Sequence, residues 1–313
     1  MTAFTEHVTD RITRYVMLRR AMGYVFAKQA TILGEFGRFV EQRREAGPLT
    51  QDVVLAYVLG CGVTPNERQR RYRVVKNFAD YFAIFDRRTP SLDPHVLPRS
   101  RAIPPVRILD DGELRRLLDA AKTISPRFPM RGQTLYTIIG LLASTGLRSG
   151  EVVRLDRDDV DLTHGILRIR RTKFRKDRLV PVHPTTLAVL RRYATARDRA
   201  YPKATSPGFF LSLRGGRLSG PGFHGTFRAV RAKARLDVGL PRGVRPHDLR
   251  HRFAVTRLVM WHRQRVDVQA RLPLLATYLG HVRYSDTAYY VTGTPDLLGQ
   301  AATRAFGQKR GGL

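Results

Sequence analysis

"GILRIRRTKFRKDRLVPVH", residues 165–183, is where the pattern of this chain changes. Up to about residue 160, outside the proline-rich stretch 87–107, the apolar residues recur at helical spacing. Here "GILRIRR" and "DRLVPVH" alternate apolar with polar, each too short for a helix, and the basic stretch "TKFRK" separates them. A period of two over such short runs predicts a β-hairpin with its turn near "TKFRK". The helical period returns downstream in "TTLAVLRRYATAR", "FHGTFRAVRAKARL", "DLRHRFAVTRLVMW", "LPLLATYLG" and "SDTAYYV". Upstream it holds over residues 111–123 and "TLYTIIGLLAS". One hairpin among helices predicts a mainly α fold with a small β-sheet, in the α+β class.

Residues 3–86 read as helices throughout. "FTEHVTDRITRYVMLRRAMG" stops near Gly23, and "AKQATILGEFGRFVEQRREA" runs to Gly47-Pro48. "TQDVVLAYVLG" starts from a Thr50 N-cap, and "NERQRRYRVVKNFADYFAIFD" follows. In the last of these Tyr72, Val75, Ala79 and Phe82 form an apolar stripe. Arg70, Arg73 and Lys76 recur at spacing three on another face and are candidates for phosphate contacts. A solvated charged face is the alternative reading of that row. Residues 87–107 contain five prolines and five arginines, a composition that reads as extended, unpacked chain. The expected organisation is a helical domain over 1–95, a Pro/Arg-rich linker over 96–107 and a second domain over 108–313.

Among 313 residues, 56 are Lys or Arg and 26 are Asp or Glu, a net charge of +30. So large a positive charge repels itself and implies a polyanionic partner, with nucleic acid the leading candidate. Cys61 is the single cysteine, so neither an intrachain disulfide nor a Cys/His zinc motif can form. The N-terminus has no apolar signal-peptide core, and no run approaches the length of a membrane span. The expectation is a cytoplasmic protein with no membrane partner.

Cleaving a phosphodiester requires a nucleophile, fixed positive charge around the phosphoryl oxygens, and an acid to protonate the leaving oxygen. Arginine suits the second task, because its planar fork grips phosphate and never deprotonates. The sequence holds no clustered carboxylates of the kind a two-metal nuclease uses, so neither a metal nor another cofactor is expected. Four stretches carry suitable groups. "STGLRSGEVVRL" places Arg148 after a Thr145-Gly146 break at a helix start, with Glu151 one turn on. "TKFRKDRLVPV" places Lys173 at the hairpin turn, with Lys176 as its competitor. "RPHDLRHRF" places His247 and Arg250 three apart on one helical face, and "LGHVRYSDTAYY" places His281 before the tyrosines.

This ordered set resembles the tyrosine recombinase, or phage integrase, family, near its Xer-type and transposon-borne members. The pattern is an Arg in T-G-x-R-x-x-E, a hairpin Lys, H-x-x-R, L-G-H and a Tyr about nine residues later. The resemblance implies a C-shaped, two-domain DNA clamp, with a helical SAM-like core-binding domain ahead of the catalytic domain. It implies that Tyr290, rather than Tyr289 or Tyr284, is the nucleophile. Arg148 and Arg250 would clamp the scissile phosphate and Lys173 would protonate the leaving 5′ oxygen. His247 would assist proton transfer at the tyrosine, His281 would bond the phosphate, and Glu151 would orient a neighbouring Arg or His. It also implies exchange through a 3′-phosphotyrosine without metal or ATP, in a homo-tetramer on paired DNA sites, with a partner recombinase as an option. The tail "PDLLGQAATRAF" would dock on a neighbouring protomer or fold back on its own domain. The setting implied is a prokaryotic, nucleoid-associated enzyme of a mobile element or of chromosome or plasmid resolution. A type IB topoisomerase, a hairpin telomere resolvase and a catalytically silent DNA-binding protein are the competing readings.

Overall fold

The computed structural model describes residues 2–98, 107–170, 177–237 and 243–281, together with Thr287 and Gly299. By its contacts the chain divides into two compact units, Met1–Pro104 and Pro105–Leu313.

The first unit packs α1 (Ala3–Ala21), α2 (Ala27–Gln42), α3 (Gln51–Gly60) and α4 (Pro65–Phe82) around one apolar core. Thr50 and Thr64 cap α3 and α4 by accepting from Val53 N–H and Glu67 N–H, which satisfies amides the helix leaves unpaired. The stripe read on α4 is buried, and Phe78 joins it. Two helices end earlier than their sequence suggests. α2 stops at Gln42 rather than running to Gly47, because Arg44 turns left-handed (φ +52°) and Glu45 N–H returns to Val40 O at 3.2 Å. α4 stops at Phe82 rather than Asp86, whose own N–H returns to Phe82 O at 3.0 Å. The reading of residues 87–98 as unpacked chain is also corrected. Leu92 is 1% exposed within the first unit's core, Val96 and Leu97 pack against it, and Tyr72 donates to Asp93 O at 2.6 Å. One leucine, whose burial stabilises by about 1.5–3 kcal/mol, outweighs the extended bias of its proline neighbours.

The second unit contains α5 (Asp111–Lys122), α6 (Pro129–Thr145), the short α7 (Ser149–Val153), strands β1 (Val160–Asp161), β2 (Ile166–Ile169) and β3 (Arg178–Pro181), α8 (Pro184–Ala200), α9 (Gly220–Lys233), α10 (Pro246–Arg263) and α11 (Val268–Leu279). The sheet is antiparallel in the order β1-β2-β3, so the hairpin is present, with β1 as an edge strand that its two residues do not announce. Ile169 pairs with Arg178 and Leu167 with Val180, which turns Leu167, Ile169 and Val180 into the core. The connecting residues 171–176, with Lys173 and Lys176, lie outside the described residues. So do all but Thr287 of the helix expected over "SDTAYYV" and all but Gly299 of the tail "PDLLGQAATRAF".

α6 is the central helix and ends at Gly146 (φ +63°). A β-carbon there would lie 2.6 Å from Phe253 Cδ1 and 2.9 Å from Leu279 Cδ2, side chains of α10 and α11. Glycine therefore both allows the turn and lets three helices meet. Gly146→Ala is expected to destabilise the protein by about 2–4 kcal/mol, through left-handed strain and overpacking. A thermal melt checks this, and an unchanged Tm would refute the tight packing of that corner. Among the described residues no helix is long and apolar enough to cross a membrane.

Candidate active site

The turn after α6 puts Arg148 at the N-cap of α7 in extended conformation (φ −73°, ψ 142°). Glu151, one turn on, accepts from Arg148 N–H at 3.0 Å and from Arg148 Nη1 at 2.9 Å. It accepts also from Arg178, the first residue of β3, through a two-pronged contact: Nη1 to Oε1 at 3.1 Å and Nη2 to Oε2 at 2.9 Å. Burial alone would raise the Glu151 carboxyl. The Arg178 guanidinium, and after it Arg148, outweigh burial and hold the group below the usual carboxylate range. Glu151 is thus a buried anion held by two arginines, the condition under which a buried charge is tolerated.

α10 starts with Pro246 at its first turn, and the Asp248 carboxylate accepts from Arg245 N–H at 2.8 Å. One turn along, Arg250 is 1% exposed. Its Nη1 donates to Gly146 O at 2.8 Å and its Nη2 to Leu279 O at 2.9 Å. Those oxygens belong to the C-terminal turns of α6 and α11, the negative ends of two helix dipoles, where a cation is favoured.

The end of α11 joins these groups. Tyr278 O accepts from Arg178 Nε at 3.0 Å, Leu279 O from Arg250, and Gly280 O from Arg148 Nη2 at 3.1 Å. Three successive carbonyls therefore receive three arginines from β3, α10 and α7. Gly280 takes a left-handed conformation (φ +68°) and sends the chain back, so that His281 N–H bonds Ala276 O at 2.9 Å. The His281 ring lies with Nδ1 2.6 Å from Thr287 Oγ1. His247, three residues before Arg250, stands with its ring 4.5 Å from that of His251 in a T-shaped pair. His247 is exposed by area, yet its ring is set among protein atoms. Desolvation first, then Arg250, Arg245 and Arg148, hold it below the ordinary imidazole value, against an opposing pull from Asp248. Beside α7, Ser149 Oγ lies 3.4 Å from His224 Nε2 of α9.

The structure thus brings Arg148, Glu151, Arg250 and His281 to one turn of α11, with His247 within electrostatic reach of both arginines. Tyr290, Tyr289 and Tyr284 lie outside the described residues, as does Lys173. Arg70, Arg73 and Lys76 belong to α4 in the first unit. Arg70 pairs with Glu67 at 3.0 Å and Lys76 with Asp80 at 2.9 Å, whereas Arg73 is exposed with no ion pair to a described residue. Cys61 is half-buried at the edge of the first unit's core, with Sγ donating to Tyr57 O at 3.1 Å. Among the described residues no cluster of His, Cys, Asp or Glu could hold a metal ion. Arg178 was not singled out from the sequence. The strand alternation carried a signal for it, since Arg178 shares the inward face with buried Val180 while Leu179 points outward.

A helical unit with a small antiparallel sheet and a cluster of arginines at a helix C-terminus is the architecture of a tyrosine recombinase catalytic domain. The phage integrase family matches residues 107–295, and the chain belongs to that family. Its members are the tyrosine-type integrases and recombinases. "Putative integrase/recombinase y4rE" of Sinorhizobium fredii is 56% identical over 306 residues, covering 98% of each chain. "Putative integrase/recombinase y4rB" of the same organism is 36% identical, covering 97% of each. Among solved structures, the Tn1549 transposon integrase in complex with circular intermediate DNA aligns with TM-score 0.66 at 20% identity, covering 93% of this chain and 99% of that one. At that identity the likeness speaks to the fold.

Proposed function

We propose that this protein is a site-specific DNA recombinase that cuts and rejoins strands through a 3′-phosphotyrosine on Tyr290. The observation that carries the reading is the convergence of Arg148, Arg250 and His281 on the C-terminal turn of α11. Two cations held by backbone carbonyls, and an imidazole held by Thr287 Oγ1, need no reorganisation when charge develops on a phosphate. The Tyr290 Oη–P bond forms and the P–O5′ bond breaks. The phenol proton leaves with help from His247, whose depressed basicity keeps the ring neutral and able to accept at pH 7. Lys173 delivers a proton to the departing O5′. A 5′ hydroxyl from a second duplex then reverses the step. The phosphoryl link is conserved in the covalent intermediate, so neither ATP nor a metal ion is required. Chelation with EDTA therefore leaves the reaction rate unchanged.

The partner is duplex DNA carrying a recombination site, in keeping with the net charge of +30. Arg70, Arg73 and Lys76 contact the backbone from α4, with Arg73 the strongest of the three because no acid among the described residues pairs with it. Two paired sites assemble four copies of this chain, with the tail over 294–313 docking on the neighbour and a partner recombinase as the alternative to the homo-tetramer. The biological setting is a mobile element, since "RYVMLRRAMGYVFAKQATILGEFGRFV" resembles the opening of transposon-borne integrases.

Nicked DNA, from which the short cleaved product diffuses away, traps the covalent intermediate. A denaturant-stable adduct is expected on the tryptic peptide 284–304, with the nucleotide on Tyr290. Tyr290→Phe should abolish the adduct and leave DNA affinity within about twofold, because one hydroxyl is removed from a salt-dependent interface. Normal cleavage by Tyr290→Phe would overturn the assignment.

A further inference from the structure

We propose that Arg178 is a positioning residue for strand transfer, and that it keeps Arg148 available to phosphate by neutralising Glu151. The proposal rests on the recombinase reading above and adds to it a residue outside the motif set.

Charge balance makes the first argument. Glu151 is a buried carboxylate, and Arg148 and Arg178 both bond it. Without Arg178, the carboxylate would have Arg148 as its one cationic partner among the described residues. The pair would be neutral overall, and the attraction between its members would draw Arg148 inward. With Arg178 present the three groups sum to one net positive charge. That charge falls on Arg148, whose side chain is 33% exposed against 12% for Arg178. Arg178 is thus the buried counter-ion, and Arg148 is the cation that faces out.

Geometry makes the second. The Arg178 fork closes on both oxygens of Glu151 while its Nε, pointing the other way, donates to Tyr278 O. Only a guanidinium offers two parallel donors and a third divergent one. Tyr278 returns the tie, its hydroxyl donating to Pro181 O at the far end of β3 at 3.2 Å. Strand β3 is therefore pinned to the last turn of α11 at both ends. That turn carries Leu279 O and Gly280 O, which hold Arg250 and Arg148, and it leads directly into His281. A β-carbon on Gly280 would lie 2.7 Å from Arg178 Nη1 and 2.8 Å from its Cζ. The glycine before His281 thus makes room for Arg178 as well as permitting the turn.

The test measures single-turnover adduct formation on nicked DNA by the full-length protein, with DNA affinity measured alongside. Two substrates are used: the ordinary phosphodiester, and a methylphosphonate at the scissile position, which lacks one charged non-bridging oxygen. Arg178→Met is expected to slow cleavage of the phosphodiester about 10²-fold, the loss a displacement of about 1 Å produces. On the methylphosphonate the defect should shrink at least tenfold, because the arginines it misplaces matter less there. Glu151→Gln combined with Arg178→Met should recover part of the rate, since the carboxylate that draws Arg148 inward is gone. A wild-type rate for Arg178→Met, or an equal defect on both substrates, would overturn the proposal and leave Arg178 a purely structural residue. If Arg178→Met does not fold, Arg178→Lys serves in its place: it keeps the charge and loses the fork, and a wild-type rate for it overturns the proposal equally. Absence of any adduct with the unaltered protein would instead refute the recombinase reading itself.

Discussion

Arg250→Lys is expected to slow strand cleavage about 10²–10³-fold, the range seen when one preorganised donor to a developing oxyanion is removed. The reason lies in how Arg250 is held. Its side chain is buried, with one Nη on Gly146 O and the other on Leu279 O. The planar fork bridges the ends of α6 and α11 and fixes the direction in which its charge points. An ammonium can satisfy one of those carbonyls and must leave the other without a donor, at a cost of about 1–3 kcal/mol. It also presents a point charge in place of two parallel donors. Two measurements separate the effects. A melt should show Tm lowered by several degrees, while single-turnover adduct formation at a temperature where the variant is folded should show the rate loss. DNA affinity should stay within a few-fold, because Arg250 is one cation among the 56 Lys and Arg of this chain. A cleavage rate within threefold of the parent would remove Arg250 from the phosphate site.

How much of this was legible beforehand depends on whether a signal is local. The hairpin was legible because alternation is local to each strand, and register then followed from the pairing of Leu167 with Val180. The Arg148 turn was legible because Gly146 marks it and Glu151 follows at capping distance. Placement was not. Nothing local says that the carbonyls of Tyr278, Leu279 and Gly280 will each meet an arginine from a different element. Arg178 reaches Tyr278 across 100 residues of sequence and Arg250 reaches Gly146 across 104. The packing of segment 87–98 is hidden from composition for a related reason. Composition averages over a window, and Leu92, a single apolar residue among prolines and arginines, decides where that window packs. On the basic row of α4 the pairing signal is local as well. Glu67 stands three before Arg70 and Asp80 four after Lys76, spacings at which helical ion pairs form, so Arg73 could have been set apart from the sequence.

Glu151→Gln is expected to be the most destabilising single isosteric change in the site. The carboxylate accepts four hydrogen bonds, all from arginines, and lies buried between them. An amide keeps one acceptor oxygen and turns an N–H donor toward guanidinium donors. It also leaves Arg148 and Arg178 repelling each other with no anion between them. Breaking a buried pair by removing one partner costs about 3–5 kcal/mol, which for a domain of this size lowers Tm by about ten degrees. Acid should reveal the same contribution in the unaltered protein. The Glu151 carboxyl is held below its unfolded value, so its stabilisation is present in full above about pH 4.3. It is lost as pH falls through the folded value. Glu151→Gln has no such proton to bind. Its Tm should therefore fall less steeply than the parent's below that pH, and the two curves should approach each other in acid. Cleavage should drop as well, since both arginines lose the group that orients them. Parallel curves of Tm against pH would show that folding does not lower the Glu151 pKa, so that the two arginines do not hold its charge. The account of Arg148 as the outward-facing cation of a three-charge cluster would then fail with it.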